Sequence, residues 1–261
     1  MSEHNYVEAN DLNMFYIEKG KGQPLILLHG GIATANTNWS KQIDFFAEYF
    51  RVIAVDSRGH GRTDNPSGKF SYELMAEDIA ALIKALNLDK PFVCGWSDGG
   101  QIVLEIGINY PDLTKALVAG GVLSEITEYY SSAMKKWGIN GPGEVDFEKL
   151  REIIPQFADA LPELHSPVYG PDYWKKLLQD ISYMWLDPSS FPQNKISQIK
   201  THILIIAGDR DEACSIDENA KMYKLIPCAE LAIIPNATHD VYETKPDLFN
   251  KIVLEFLQSH L

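Results

Sequence analysis

The chain has 261 residues, 45% of them hydrophobic and 23% charged, which excludes a disordered chain and a coiled-coil rod. Its 23 basic and 36 acidic side chains give a net charge of −13, which disfavours binding to nucleic acid or to an anionic membrane surface. We therefore expect a globular protein with a large core that acts on small molecules or on other proteins.

The N-terminal stretch MSEHNYVEAND has no basic segment followed by an apolar one, and no run approaches the roughly 18 apolar residues of a membrane-spanning helix. We predict neither a signal peptide nor a membrane segment. The three cysteines, Cys94, Cys214 and Cys228, form no C-x-x-C pair, which favours free thiols and a cytoplasmic location. No cluster of cysteine and histidine has metal-ligand spacing, so no metal and no cofactor are predicted.

Short apolar runs that end near glycine or a polar turn predict five buried strands in the first half of the chain. They are MFYIEKG, PLILLHG, RVIAVDSRG, PFVCGWS and ALVAGG. Between them, residues 72–87 have apolar side chains at helical spacing, and residues 101–110 form a second predicted helix that ends before Pro111. Strands that alternate with helices indicate βαβ units and a mostly parallel, doubly wound α/β sheet.

The strand pattern disappears between about residues 126 and 200. GINGPGE at 138–144 is typical of a loop, while FEKLREIIPQFADAL and DYWKKLLQDISYMWL predict short helices. The alternation of strands and helices then resumes, with a strand in HILIIAGD, a helix over 216–225, a strand in AELAIIP and a last helix over about 247–258. We predict a core of residues 1–125 and 201–261 that carries a helical insertion at 126–200.

The motif with the most chemical content is GWSDGG at residues 95–100, which matches G-x-S-x-G between an apolar strand and a helix. In that context the serine lies on a tight strand-to-helix turn, which exposes its hydroxyl above the sheet. Gly95 and Gly99 suit the close backbone approach that the turn requires. The motif therefore predicts Ser97 as a nucleophile, the alternative being a chance match at an ordinary helix start.

A serine nucleophile needs a histidine base. His239 follows the last predicted strand, at the carboxyl edge of the sheet where functional groups of open α/β sheets gather. His29 and His60 also follow strands, and we expect them to donate hydrogen bonds within loops. The remaining histidines lie near the termini, in the insertion or at the start of a strand: His4, His165, His202 and His260.

The histidine in turn needs a carboxylate to orient it. Asp209 and Asp211 both follow the strand HILIIAG. Asp209 lies close to the strand end, where it is expected to bond the loop backbone, whereas Asp211 lies further out, where it can reach His239. We predict Asp211 as the third member of the triad.

An oxyanion hole requires two backbone N–H donors near the nucleophile. One is expected from Asp98, the residue after Ser97, and the other from Gly31 in the sequence HGGI, which directly follows an apolar strand. Glycine leaves the Gly31 N–H unobstructed. The alternative is that HGG is an ordinary glycine turn.

The motifs PLILLHGG, VIAVDSRGHGRTD, CGWSDGG, IIAGDRDE and PNATHD together resemble the α/β-hydrolase superfamily along nearly the whole chain. The resemblance implies an α/β-hydrolase fold with a helical cap inserted after the sixth strand, the order Ser97, Asp211, His239, and no cofactor. The hexapeptide GWSDGG is similar to that of valacyclovir-hydrolase-like (biphenyl-hydrolase-like) enzymes, which cleave esters of amino acids. The chain departs from common members at IPNATHD, where a glycine often precedes the histidine.

Asp98 has two candidate roles. An acidic side chain in a first helical turn complements the helix dipole, and the resemblance implies that the carboxylate contacts a substrate amino group. Both roles predict poor activity on strongly anionic esters. Trp96 and Ile32, the neighbours of Ser97 and Gly31, are the other candidate substrate-binding residues.

Several aromatic residues of the insertion are predicted to form its small core, with one or two of them lining a pocket. They are Tyr129, Tyr130, Trp137, Tyr173, Trp174, Tyr183 and Trp185.

The leading functional hypothesis is a serine hydrolase that cleaves small carboxylic esters, amino-acid esters among them, through an acyl-enzyme. C–C bond hydrolysis, lactone opening and perhydrolysis on the same scaffold stay open, as does a slow, receptor-like binding protein. A nucleotide-dependent oxidoreductase is disfavoured because neither G-x-G-x-x-G after the first strands nor G-x-x-x-x-G-K-[ST] occurs. The oligomeric state is not readable from these patterns.

Overall fold

The computed structural model describes residues 3–261, with side chains from residue 5 onward. The first two residues and the side chain of His4 therefore lie outside the described part. The strands are β1 (Glu3–Ala9), β2 (Leu12–Lys19), β3 (Pro24–Leu28), β4 (Arg51–Val55), β5 (Phe92–Trp96), β6 (Leu117–Gly120), β7 (Ile139–Gly141), β8 (Glu144–Val145), β9 (Ile203–Gly208) and β10 (Ala229–Ile234).

The α-helices alternate with these strands in the core and cluster together between β6 and β9. They are α1 (Ala35–Phe46), α2 (Tyr72–Ala85), α3 (Asp98–Asn109), α4 (Glu128–Lys136), α5 (Phe147–Ile153), α6 (Pro155–Leu164), α7 (Ser166–Tyr169), α8 (Tyr173–Leu186), α9 (Ile216–Leu225), α10 (Val241–Thr244) and α11 (Pro246–Gln258). None of the helices within residues 3–261 has both the length and the apolar character needed to span a bilayer.

Eight strands form one sheet in the order β1-β2-β4-β3-β5-β6-β9-β10. The pairs β1–β2 and β2–β4 are antiparallel and all others are parallel, as the α/β rhythm predicted. Sequence reasoning missed β1, because its residues EHNYVEA are largely polar. A strand at the edge of a sheet pairs on one side only and needs no continuous apolar run.

The sheet separates two apolar layers, as a doubly wound fold requires. Along β3, Leu25 and Leu27 contribute to one layer while Ile26 and Leu28 contribute to the other, because successive side chains of a strand point to opposite faces. One layer packs under α2, α3 and α9, and the other packs under α1 and α11. The carboxyl ends of the parallel strands are left free to carry the loops that form the site.

The segment between β6 and β9 contains α4–α8, two short 3₁₀ turns and the hairpin β7–β8. The hairpin corrects the expectation of a loop at 138–144. Gly143 has φ +76°, which supplies the tight turn, and the strands are too short to show apolar alternation. We call residues 126–200 the cap and the remainder the core.

Candidate active site

The nucleophile turn lies between β5 and α3 and has a strained backbone. Ser97 has φ +54° and ψ −116°, a conformation that residues with a side chain rarely adopt. A Cβ at Gly95 would lie 2.0 Å from the carbonyl oxygen of Gly99, and a Cβ at Gly99 would lie 2.1 Å from that of Leu28. The glycines are therefore required by backbone contact, and the surrounding chain holds Ser97 in its strained conformation.

The predicted base, His239, and the predicted carboxylate, Asp211, are directly hydrogen-bonded. His239 Nδ1 lies 2.8 Å from Asp211 Oδ2, and Asp211 Oδ1 accepts hydrogen bonds from the backbone N–H groups of Ala213 and Cys214, both at 2.8 Å. Because backbone N–H groups can only donate, they stabilise the ionised carboxylate, and Nδ1 carries the proton of the His239 ring. His239 Nε2 is thereby left as the nitrogen that can accept a proton from Ser97.

The two side chains shift each other's pKa. Burial raises the pKa of Asp211, but the His239 ring and the two backbone N–H donors lower it more, so its net pKa is below the usual range. Burial lowers the pKa of His239, but the Asp211 carboxylate and the adjacent Cys214 thiol raise it more, so its net pKa lies well above 6.5. The imidazolium that forms when His239 takes a proton is therefore stabilised by its surroundings.

Ser97 and His239 face the same cavity, although Ser97 Oγ makes no hydrogen bond within residues 3–261. Catalytic hydrogen bonds are often long in a free enzyme and shorten when substrate binds. The His239 ring is held between Trp96 and Trp137, each with its ring centroid 6.0 Å away. The structure thus brings the three predicted triad residues to one place.

Asp209 occupies the role expected for it. Its Oδ1 accepts a hydrogen bond from the backbone N–H of Ala237 at 3.1 Å. This bond ties the loop after β9 to the loop that carries His239, two residues before it. Asp209 therefore supports the loop, and Asp211 contacts the base.

The predicted oxyanion donors lie beside the nucleophile. A Cβ at Gly30 would lie 3.2 Å from Ser97 Cβ, and a Cβ at Gly31 would lie 2.8 Å from Asp98 Oδ2 and 2.5 Å from the Trp185 ring. The backbone N–H groups of Gly31 and Asp98 make no hydrogen bond within the described residues. Both are therefore available to an oxyanion.

The cavity has a volume of about 50 Å³ and lies between the carboxyl edge of the sheet and the cap. Its lining combines Ser97 and His239 with aromatic and apolar side chains. The lining residues are Tyr72, Ser97, Asp98, Gln101, Gly121, Leu123, Tyr130, Met134, Trp137, Trp185, Phe191, Ala213, Cys214 and His239. Eight of these fourteen residues were not singled out from the sequence, since they come from α2, α3, the segment after β6, the cap and the loop after β9.

The Asp98 carboxylate is part of this wall. It accepts hydrogen bonds from the Tyr72 hydroxyl at 2.8 Å and from Trp185 Nε1 at 2.9 Å. Burial raises the pKa of Asp98 to about 6, while the Trp185 and Tyr72 donors and the nearby His239 act in the opposite direction. Asp98 therefore lies both at the start of α3, where it meets the helix dipole, and on the cavity surface.

Two expected substrate contacts are corrected. The Trp96 indole packs against Tyr242 and Phe249 in the apolar layer under α11, because Trp96 points to the opposite side of β5 from the cavity. The Ile32 side chain is buried in the other layer. Neither side chain lines the cavity.

Three of the seven cap aromatics line the cavity, against the expected one or two. These are Tyr130, Trp137 and Trp185. Trp174 belongs to the core of the cap, where it makes an edge contact with Phe147 at 5.3 Å between ring centroids.

The histidines predicted to hold loops do so. His29 Nε2 accepts a hydrogen bond from the backbone N–H of Ser57 at 2.9 Å, and His29 Nδ1 donates to the carbonyl oxygen of Gly30 at 2.7 Å. His60 Nδ1 lies 2.9 Å from the Arg58 carbonyl oxygen. Burial lowers the pKa of both histidines, to about 4 for His29, so both rings are neutral at pH 7.

One proximity was not predicted from spacing. The possible metal-ligating atoms of Asp211, Cys214 and His239 lie within 4.8 Å of one another. Both Asp211 oxygens are already bonded, to His239 and to two backbone N–H groups. Burial raises the pKa of the Cys214 thiol to about 12, so at neutral pH the group beside the base is an uncharged thiol.

Comparison with known proteins identifies the family. Residues 23–246 match the family model described as alpha/beta hydrolase fold. The chain belongs to this family. It is 26% identical to the 2-hydroxy-6-oxo-6-(2'-aminophenyl)hexa-2,4-dienoic acid hydrolase of Metapseudomonas resinovorans, with 98% of this chain and 92% of that protein covered. It is also 26% identical to the human serine hydrolase BPHL, with 97% and 85% covered.

A solved structure shows the same fold. The meta-cleavage product hydrolase CumD of Pseudomonas fluorescens IP01 superposes with a TM-score of 0.83 at 22% identity, covering 98% of this chain and 97% of that one. The family match and the hydrolases among the relatives establish this α/β-hydrolase as an enzyme that hydrolyses esters or related bonds.

Proposed function

We propose that this α/β-hydrolase cleaves small carboxylic esters through an acyl-enzyme formed on Ser97. The observation that carries the proposal is the 2.8 Å bond between His239 Nδ1 and Asp211 Oδ2 in the cavity that Ser97 faces from its strained turn. This arrangement provides a nucleophile, a base and a carboxylate that orients the base.

In the proposed reaction, His239 Nε2 takes the Ser97 proton as Ser97 Oγ attacks the ester carbonyl carbon. The negative charge that develops on the carbonyl oxygen is stabilised by the N–H groups of Gly31 and Asp98. His239 then gives the proton to the leaving alcohol, and the C–O bond breaks. Water, deprotonated by the same His239, attacks the acyl-enzyme and releases the acid and free Ser97.

The cavity lining supports a neutral or cationic substrate. Tyr130, Trp137 and Phe191 offer apolar surface for an acyl group or an alcohol, whereas Asp98 places a carboxylate beside the nucleophile. A second negative charge there would repel Asp98. An amino-acid ester satisfies both features, because its ammonium can pair with Asp98 and its side chain with the aromatic wall.

C–C bond hydrolysis is the second candidate. It is favoured by two relatives whose names give a hexa- or heptadienoate substrate, one from Metapseudomonas resinovorans and the other a 2-hydroxy-6-oxo-2,4-heptadienoate hydrolase of Pseudomonas putida, each 26% identical. Such dienoates are anionic, and the cavity described here contains Asp98 and no lysine or arginine. The charge of the lining therefore favours the ester proposal.

The test is a matched panel of acetyl, butyryl, octanoyl and valyl esters, assayed with the wild type and with Ser97→Ala. We expect saturable turnover that Ser97→Ala lowers by at least about 10³-fold. Loss of the valyl preference in Asp98→Ala would support amino-acid esters. Equal rates with and without Ser97 would overturn the proposal, and Ser97-dependent cleavage of a dienoate alone would transfer it to C–C hydrolysis.

Two neighbouring aspartates give a matched control. Asp211→Asn removes the negative charge that faces His239 Nδ1, whereas Asp209→Asn keeps a side-chain oxygen that can still accept the hydrogen bond from the Ala237 backbone N–H. We expect a kcat loss of about 10³–10⁴-fold for the first variant and less than tenfold for the second. Similar losses in both would contradict the assignment of Asp211.

A further inference from the structure

A histidine of the cap joins two loops of the core. His165 lies between α6 and α7 and is 1% exposed. Its Nε2 lies 2.9 Å from the carbonyl oxygen of Ile32, and its Nδ1 lies 3.0 Å from the backbone nitrogen of Gly61. Residues 32 and 165 are 133 positions apart, so the contact exists only when the cap is seated on the core.

The two partners determine which nitrogen carries the proton. The Gly61 N–H can only donate, so His165 Nδ1 must be the acceptor. The Ile32 carbonyl can only accept, so His165 Nε2 must carry the hydrogen. Burial lowers the pKa of His165, which keeps the ring neutral at pH 7. The ring is thus a fixed bridge with one donor and one acceptor, both satisfied.

The loop that accepts the His165 hydrogen bond contains a strained residue. Ile32 has φ +51°, and a β-branched residue in this left-handed region is strained. Strain of this kind persists only where the surroundings hold it. The hydrogen bond from His165 to the Ile32 carbonyl is one such restraint. Gly31 directly precedes Ile32 in the same loop, and the Gly31 N–H, in the peptide between Gly30 and Gly31, is a proposed oxyanion donor.

We propose that His165 is a positioning residue for the reaction: it fixes the loop of residues 30–32 from the cap, so that the Gly31 N–H faces the developing oxyanion. The inference rests on the proposed function. An oxyanion donor acts only when it is held in place before the charge forms. The cap therefore contributes to the chemical step, in addition to its contribution to the cavity wall.

The ring is also confined by its neighbours. The His165 ring makes an edge contact with the His60 ring at 5.7 Å between centroids, and His60 lies 5.1 Å from His29. His29 in turn donates to the Gly30 carbonyl. Two histidines therefore hold successive parts of the same loop, one from the core and one from the cap.

The experiment compares three variants that keep different bonds. In His165→Gln the amide nitrogen takes the place of Nε2 and retains the bond to Ile32. In His165→Asn the amide oxygen takes the place of Nδ1 and retains the bond from Gly61. His165→Ala loses both. We expect kcat on the best ester of the panel to fall about 10–100-fold in the Ala and Asn variants, with KM within about threefold, and the Gln variant to recover most of the loss.

A second measurement reads the oxyanion hole directly. Phenylboronic acid forms a tetrahedral adduct with a serine nucleophile, so its inhibition constant should rise in the Ala and Asn variants in parallel with the loss of kcat. Tyr169→Phe is the matched control. It removes another bond between cap and core, from the Asn65 backbone N–H to the Tyr169 hydroxyl, without touching residues 30–32, so we expect its kcat and boronate affinity to be unchanged.

Three results would overturn the inference: wild-type kcat in folded His165→Ala, a Gln variant no better than the Asn variant, or a loss confined to KM. If His165→Ala fails to fold, the inference is tested by comparing the kcat of His165→Gln with that of His165→Asn. A wild type without Ser97-dependent turnover would refute the proposed function. An active wild type whose kcat is unchanged by the substitutions at His165 would refute this inference alone.

Discussion

In the core, backbone geometry holds the residues of the candidate site. The turn around Ser97 leaves no space for a Cβ at Gly95 or Gly99, and the Asp211 carboxylate accepts hydrogen bonds from two backbone N–H groups. In the cap, single side chains reach the same site, each with its own hydrogen bond. Trp185 donates to Asp98, Tyr129 to the Asp211 carbonyl and His165 to the Ile32 carbonyl. We infer that changes in the core remove fold and chemistry together, whereas changes in the cap can separate them.

The largest expected effect tests the core side of this comparison. Gly95→Ala places a Cβ 2.0 Å from the Gly99 carbonyl oxygen, and backbone on both sides leaves no room to shift. We expect at least about 4 kcal/mol loss of unfolding free energy, or no folded protein. Urea unfolding measures it, with Gly68→Ala as the control for glycine replacement: its Cβ would meet nothing within 4 Å, and its φ of +66° adds only a backbone strain of about 1–2 kcal/mol. Unfolding free energies of Gly95→Ala and Gly68→Ala that agree within 1 kcal/mol would contradict the distinction between core and cap.

The next largest loss of unfolding free energy is expected when a buried ion pair is broken. Arg58 and Asp78 are joined by two hydrogen bonds of 2.6 Å, with side chains 3% and 2% exposed. Arg58→Met leaves the Asp78 carboxylate buried and uncompensated, so we expect a loss of about 3–5 kcal/mol. The double variant Arg58→Met, Asp78→Leu should recover most of it. A double variant as unstable as the single one would show that the pair matters through shape and not through charge.

Asp98, at the junction of core and cap, is expected to make the stability of the protein depend on pH. Its pKa of about 6 lies above the ordinary 3.8, so the folded state binds the proton more tightly than the unfolded state does. The contribution of Asp98 to the free energy of unfolding should therefore rise as the pH falls from 7 through 6 towards 4. Asp98→Asn lacks this ionisation and should be more stable at pH 7 by up to about 3 kcal/mol, the difference shrinking at pH 4.5. Melting curves of the wild type and of Asp98→Asn at three pH values measure this difference in stability.

The smallest effect is expected in the cap. The Tyr129 ring is 48% exposed, and its hydroxyl donates to the Asp211 carbonyl at 2.8 Å. Tyr129→Phe should cost about 0.5–1.5 kcal/mol and less than tenfold in kcat. Loss of folding in this variant would contradict the distinction between the two regions, as would a kcat loss as large as that of Asp211→Asn.

Residues close in sequence were predictable, and those joined only by the fold were not. Ser97, Asp211 and His239 each lie in a short motif after a strand, so their clustering follows from the parallel sheet. The face of the sheet to which Trp96 points depends on how β5 is oriented within the folded sheet, and this information is absent from GWSDGG. His165 shows the same limit, since its partners are more than 100 positions away.

The lining of the cavity illustrates the physical reason. Tyr72 starts α2 and Phe191 follows α8, yet their rings meet at 6.1 Å between centroids on the same wall. Either residue, considered alone, matches an ordinary core aromatic. The packing of the cap against the sheet makes them neighbours, and short irregular helices carry little periodicity from which such packing could be predicted.

The strained backbone of Ser97 has a consequence for how such a protein evolves. Glycine tolerates φ +54° far better than serine does, so Ser97→Gly should be more stable than Ser97→Ala by about 1–3 kcal/mol while both are inactive. Selection for stability alone would then favour the loss of the nucleophile. Under the proposed function, the serine at this position therefore costs stability that only its chemistry offsets, and relatives that have lost catalysis are expected to carry glycine there.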